Sequence, residues 1–138
     1  MECSCDVYPF AIDESEQAEI YTQKTTKARK IHKCTECKRE ILPGEKYELF
    51  KGKWEGDFQT YKTCKDCLSV RGQFFSNGWI FSNLWSDLNE SFNDWDYEVP
   101  EDCISALTKA ARDKVCDIIE EGWKFKEAQA DNIYNTSA

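Results

Sequence analysis

Two cysteine pairs, Cys34-x2-Cys37 and Cys64-x2-Cys67, constrain this chain more than any other feature, because they bracket a stretch that reads as a β-hairpin. A tetrahedral Zn²⁺ takes four ligands at about 2.3 Å, and a tight Cys-x2-Cys turn delivers two sulfurs to one ion. Two such turns fill the sphere. A filled sphere leaves no position for water or substrate, so the expected zinc, held by Cys34, Cys37, Cys64 and Cys67, stabilises the fold and does no chemistry.

Eight cysteines in 138 residues would also suit the disulfide framework of a secreted domain. The first residues, Met1-Glu2-Cys3-Ser4-Cys5-Asp6, show neither the basic start nor the apolar run of a signal peptide. No apolar stretch approaches the ~18 residues that a membrane span needs. The expectation is a cytoplasmic protein with reduced thiols, in which paired Cys-x2-Cys turns mean metal or redox chemistry. A thioredoxin-like redox pair sits in a βαβ context, and neither pair has one.

The net charge of −8 is unevenly spread. Residues 1–19 carry six acids and no base; residues 20–75 are basic by six charges; residues 76–138 are acidic by eight. A pI near 4.7 argues against sequence-independent DNA binding as the main task, and acidic flanks favour a basic protein surface. A solvated surface is the plainer explanation of the dispersed acids.

Four segments follow from the pattern: an acidic arm over 1–21, a zinc-binding module over 22–77, a helical extension over 78–126 and a frayed tail over 127–138. Within the module, Pro43-Gly44 signals a turn into a strand from Tyr47 to Phe50. A reversal over 52–57 then returns the chain from Phe58 to Lys62. Thr63 and Asp66 resemble a capping box, after which Cys64, Cys67, Leu68, Arg71, Phe74 and Phe75 recur at helical spacing until Asn77-Gly78. Knuckle, hairpin and a helix whose first turn brings the last two ligands make an α+β, treble-clef-like zinc module, favoured over a zinc ribbon. A second helix is expected over Phe81, Leu84, Trp85, Leu88 and Phe92. A third is expected from Pro100 to Glu121 with the stripe Ile104, Leu107, Ala111, Val115 and Ile118, and with Gly122 just past its end.

Cys3-x-Cys5 is a candidate for a second metal site, and Cys103 is the thiol best placed to join it. Cys116 lies about 220° around the helix from Cys103 and reads as a lone thiol; the alternative for all of these is small, partly buried thiols. His32 is expected beside the zinc as a packing or hydrogen-bonding group, since four thiolates already suffice. No Ser/His/Asp or Cys/His constellation is identifiable, and no catalytic residues are expected. In the loop 94–100, Trp95 and Tyr97 beside Asp94 and Asp96 are candidate partner-binding anchors, with a place in the core as the alternative. Lys27, Arg29 and Lys30 are the candidate nucleic-acid contacts.

The run Lys27-Ala-Arg-Lys-Ile-His-Lys-Cys-Thr-Glu-Cys37, the stretch Ile41 to Tyr47, then Gly52 to Phe58 and Lys62 to Cys67 resemble the small zinc-finger proteins of tailed bacteriophages and prophages. The likeness covers roughly residues 2–75 and includes Cys3-x-Cys5. Some relatives carry a further Cys-x-Cys after the first helix, where this chain has Ile80-Phe81-Ser82. The resemblance implies a context and not an activity: a non-enzymatic phage protein that binds a host protein, for instance to inhibit a defence nuclease such as a CRISPR effector. An acidic helical half suits occupation of a basic nucleic-acid channel. The alternative is a nucleic-acid-binding zinc finger that uses the basic segment 24–71.

Overall fold

The computed structural model describes residues 5–8 and 17–136, with side chains through residue 130. Its largest sheet has three antiparallel strands in the order β1-β4-β5: β1 Ile20–Lys27, β4 Lys46–Trp54 and β5 Asp57–Cys64. Two short strands, β2 His32–Lys33 and β3 Glu40–Ile41, pair beneath the first cysteine turn. Four helices follow: α1 Lys65–Phe74, α2 Leu84–Asp94, α3 Glu101–Ser105 and α4 Lys109–Thr136. This is the expected α+β arrangement, with a long C-terminal helix.

The turns form where the sequence supplies the right backbone. Gly44 takes φ +92° after Pro43, and the Glu45 N–H closes on the Leu42 carbonyl at 3.0 Å, a type II turn. Glu55 and Gly56, both with positive φ, make the two-residue reversal between Trp54 and Asp57. Gly52, expected in that reversal, lies within β4 instead. A Cβ there would stand 2.7 Å from the Trp54 ring, so any larger residue would have to displace the rings that cover Gly52.

Strand β1 replaces the arm and lead-in expected around residue 21. Nearly all of its side chains are exposed, so no apolar alternation announced it; its ladder with β4, from Ile20 opposite Lys53 to Lys27 opposite Lys46, holds it in place. Residues 5–8 are also packed. Val7 is buried and donates to the Phe74 carbonyl at 2.7 Å, and the Tyr8 hydroxyl bonds to Asp87.

The expected third helix is two helices. Thr108 interrupts it: its carbonyl accepts from the Arg112 N–H at 2.8 Å, its hydroxyl accepts from the Ala111 N–H at 3.4 Å, and α4 starts afresh. Helix α4 then runs through Gly122 and through the tail expected to fray. Gly122 is no cap; its missing Cβ makes room for the Tyr97 ring, 2.4 Å from where a Cβ would sit. The shifted helix buries Ile119 and leaves Ile118 half-buried.

One apolar core runs from the sheet into the helices, joining Ile41, Val70 and Phe74 to Leu84, Leu88, Phe92, Leu107, Ala111 and Val115. A buried ion pair between Arg71 of α1 and Glu48 of β4 pins the first helix to one sheet face, and the Arg71 guanidinium lies 3.9 Å over the Trp79 ring. Phe81, expected in α2, precedes it and stacks on Tyr61 with ring centroids 4.2 Å apart. None of the described helices is long and apolar enough to cross a membrane.

Candidate metal centre

The first cysteine turn is closed by its own backbone. The Cys34 N–H donates to the Arg39 carbonyl at 2.9 Å, the Lys38 N–H donates to the Cys34 carbonyl at 3.0 Å, and Lys38 takes φ +68° to complete the reversal. Thr35 fastens the turn to β5: its N–H donates to the Lys62 carbonyl at 2.7 Å and its hydroxyl accepts from the Lys62 N–H at 3.0 Å. The second pair arrives differently. Cys64 is the N-cap of α1 and Cys67 lies in its first turn, so the end of a strand and the start of a helix present both sulfurs to the knuckle.

All four sulfurs lie within 4.8 Å of one another. Cys34 to Cys67 and Cys37 to Cys64 are each 3.8 Å. Ligands about 2.3 Å from a tetrahedral ion stand about 3.8 Å apart, so donor type and spacing both fit a thiophilic cation. Cys34, Cys64 and Cys67 are fully buried and Cys37 is half-buried. Three N–H groups point at sulfur: Cys64 N–H to Cys34 Sγ at 3.4 Å, Cys67 N–H to Cys64 Sγ at 3.5 Å, and the Trp85 indole to Cys67 Sγ at 3.3 Å. Such donors offset negative charge on thiolates. Hydrogen bonds from Cys37, Cys64 and Cys67 hold the Cys34 thiol far below its usual range, while Cys34 and then Cys37 push Cys64 and Cys67 up. Four sulfurs this close cannot all ionise on their own; a divalent cation would let them.

The surroundings are tied to the centre by charge. Arg39 forks onto Glu45, with Nη1 to Oε2 at 3.1 Å and Nη2 to Oε1 at 3.0 Å, and reaches Asp66 at 3.2 Å. Its hydrogen bond is the main reason that the Glu45 carboxyl drops to about 2. Asp66 in turn accepts from the Thr108 hydroxyl at 2.7 Å, linking α1, which carries Cys67, to the start of α4. Glu36, inside the knuckle, accepts from the Ser82 N–H at 2.9 Å and the Leu84 N–H at 3.2 Å. It thereby caps α2, whose own N-cap, Asn83, makes no side-chain bond.

The remaining expected site residues separate into three groups. Cys5 and Cys103 are brought together, but as a disulfide, so neither sulfur is free to ligate. That corrects the second metal site and, for this pair, the expectation of reduced thiols; Cys3 lies outside the described residues, and Cys116 is a half-buried free thiol. Among the described residues the four-cysteine group is the only one placed to hold a metal. Tyr97 is buried against Gly122, and Trp95 is half-buried on Phe92, which gives them core places; Asp94 and Asp96 are exposed, and Asp96 pairs with Lys126 at 3.2 Å. Lys27, Arg29 and Lys30 do converge, with Lys24 and His32, around a hollow of about 500 Å³. His32 is no ligand: its ring rests on Tyr47 at 5.1 Å and Nδ1 is 3.1 Å from Lys62 Nζ.

Sequence reasoning missed Glu36 and Trp85 as supports of the centre. It also passed over Trp123 and Phe125, apolar side chains of α4 that are 52% and 59% exposed. Phe125, seven residues after Ile118, continues the apolar stripe past the expected helix end at Glu121, and Trp123 lies off that stripe; these were the available signals. No protein-family model, curated protein or solved structure matches this chain.

Proposed function

We propose that this is a zinc-stabilised, non-enzymatic binding protein of the phage zinc-finger kind, acting on a protein of the host cell. Four thiolates around one ion leave it no open position, which supports a structural role for the metal. Zinc is the natural occupant of a buried tetrahedral four-sulfur site. The observation that carries the binding reading is two large exposed aromatics on α4, about 200° apart around its axis: Trp123 among Glu120, Lys124, Lys126 and Glu127, and Phe125 beside Lys114, Asp117 and Glu121. Large aromatics within a charged rim are the usual anchors of protein interfaces, and the acidic excess of residues 76–138 as a whole suits a basic partner such as a nucleic-acid channel of a defence nuclease. A cytoplasmic setting belongs to the same proposal, and the Cys5–Cys103 bond weighs against it.

Capture from infected-cell lysate, followed by reconstitution with the purified partner, tests the reading. One host protein should bind stoichiometrically, and Phe125→Ala should weaken it at least tenfold while zinc content and helicity stay unchanged. Binding indifferent to Trp123 and Phe125 would remove the support for this surface.

A second reading, nucleic-acid binding by the module, is favoured by the convergence of Lys24, Lys27, Arg29 and Lys30 on one hollow. Salt-sensitive binding abolished by charge reversal at Lys27, Arg29 and Lys30 would rank it first.

A further inference from the structure

Side chains alternate across a sheet, so the β1-β4-β5 register sorts its residues onto two faces. One face holds Glu48, Phe50, Tyr61 and Thr63 and is covered by α1 and Phe81. The opposite face is built of cross-strand rows: Ile20, Lys53 and Phe58; Thr22, Lys51 and Thr60; Lys24, Leu49 and Lys62; and last Thr26, Tyr47 and Cys64, where Tyr47 is buried and Cys64 joins the cysteine cluster. Lys24, Lys51, Lys53 and Lys62 all stand on it, and none of the residues in these rows is acidic. In a chain of net charge −8, this concentrates positive charge on one surface. Sequence reasoning grouped lysines by their nearness in the chain and so could not see this set, which only the pairing assembles.

The face also carries an aromatic. Phe58 is 73% exposed, and Lys53 Nζ lies 5.7 Å from its ring centroid. Thr22 and Thr60, both exposed residues, flank Lys51. Lysines to meet phosphates, hydroxyls to bond them and an open ring to stack a base are the parts of a single-strand platform. A duplex buries its base faces and would leave Phe58 unused.

We infer that this sheet face binds single-stranded nucleic acid, with Lys24, Lys51, Lys53 and Lys62 along the backbone and Phe58 under a base. The inference rests on the nucleic-acid reading and, within the basic segment 24–71, moves its centre from Lys27, Arg29 and Lys30 to the sheet, the hollow at Lys24 being the end of the same track.

The test is fluorescence anisotropy of the zinc-loaded protein with a labelled oligothymidylate and with a duplex of the same length, over a salt series. The single strand should bind more tightly, with log K falling by about 0.7 per phosphate neutralised for each tenfold rise in salt. The double variant Lys51→Gln, Lys53→Gln should flatten that slope by about 1.4, and Phe58→Ala should weaken binding at least about fivefold. These side chains lie outside the core and the metal cluster, so zinc stoichiometry should not change. If binding is lost on charge reversal at Lys27, Arg29 and Lys30 yet ignores Lys51, Lys53 and Phe58, the sheet platform is refuted while the nucleic-acid reading stands. Absence of binding at low salt refutes both. Tighter binding of the duplex, or equal displacement by polyglutamate, overturns the assignment to a single strand.

Discussion

Each residue of the metal centre does a different share of the work, and the four sulfurs do the largest. Metal binding in small zinc modules is worth about 10–16 kcal/mol, comparable to the whole stability of a domain. Cys64→Ser, which removes a fully buried ligand and the side-chain N-cap of α1, should therefore unfold the module and release the metal, as read by circular dichroism and metal analysis. A folded, metal-free variant would contradict the structural role. Glu45 offers a pH test. Its carboxyl falls from an ordinary 4.5 to about 2, chiefly through Arg39, so it stabilises the folded state fully above about 4.5 and loses that contribution as the pH drops towards 2. The stability gap between wild type and Glu45→Gln should close over that window, and a Glu45 carboxyl resonance titrating near 4.5 would refute the assignment. The four ligands were legible because Cys-x2-Cys spacing is a local property. Glu36 was not legible, since its role depends on amides far along the chain that meet it only after folding.

At the level of elements, the knuckle and α2 share a component. Glu36 sits between two metal ligands and caps a helix that lacks a side-chain cap of its own, so order at the metal is passed to α2. Glu36→Ala should cost about 1 kcal/mol, typical of a lost cap, and should speed hydrogen exchange at the Ser82 and Leu84 amides; chelation should do the same in the unaltered protein. Unchanged exchange at both amides would break this link. Helix α4 supplies a second test. Alanine in a helix normally gains about 1 kcal/mol over glycine, but at position 122 its Cβ meets the Tyr97 ring 2.4 Å away. Gly122→Ala should therefore lower stability by about 1–3 kcal/mol, measured by denaturant unfolding, and a gain would show that the ring moves freely. The treble-clef elements were readable from turns and spacing. Strand β1 and the break at Thr108 were not: one is exposed on nearly every side chain, and the other depends on a hydroxyl turning back onto its own helix.

Across the whole molecule, the half with the four-cysteine cluster and the helical half bury one continuous core, so neither offers the other a smooth surface. The contrast in charge between halves was visible in the sequence, whereas its concentration on one sheet face required the strand register. The pairing of Cys5 with Cys103 was also out of reach, because spacing fixes no connectivity among cysteines. Closing a loop with a sequence separation of 98 restricts the unfolded chain strongly, and Cys103→Ser should cost about 2–5 kcal/mol with the metal retained. An unchanged unfolding midpoint in the oxidised and reduced protein would show that the bond adds nothing. The same bond has a mechanical consequence. Tension applied between residue 5 and the far end of α4 would cross from Cys5 straight to Cys103, bypassing the sheet, the cysteine cluster and α2, so a pulling experiment should unravel only the chain after Cys103, the end of α3 and all of α4, and stop there until the sulfur bridge is reduced.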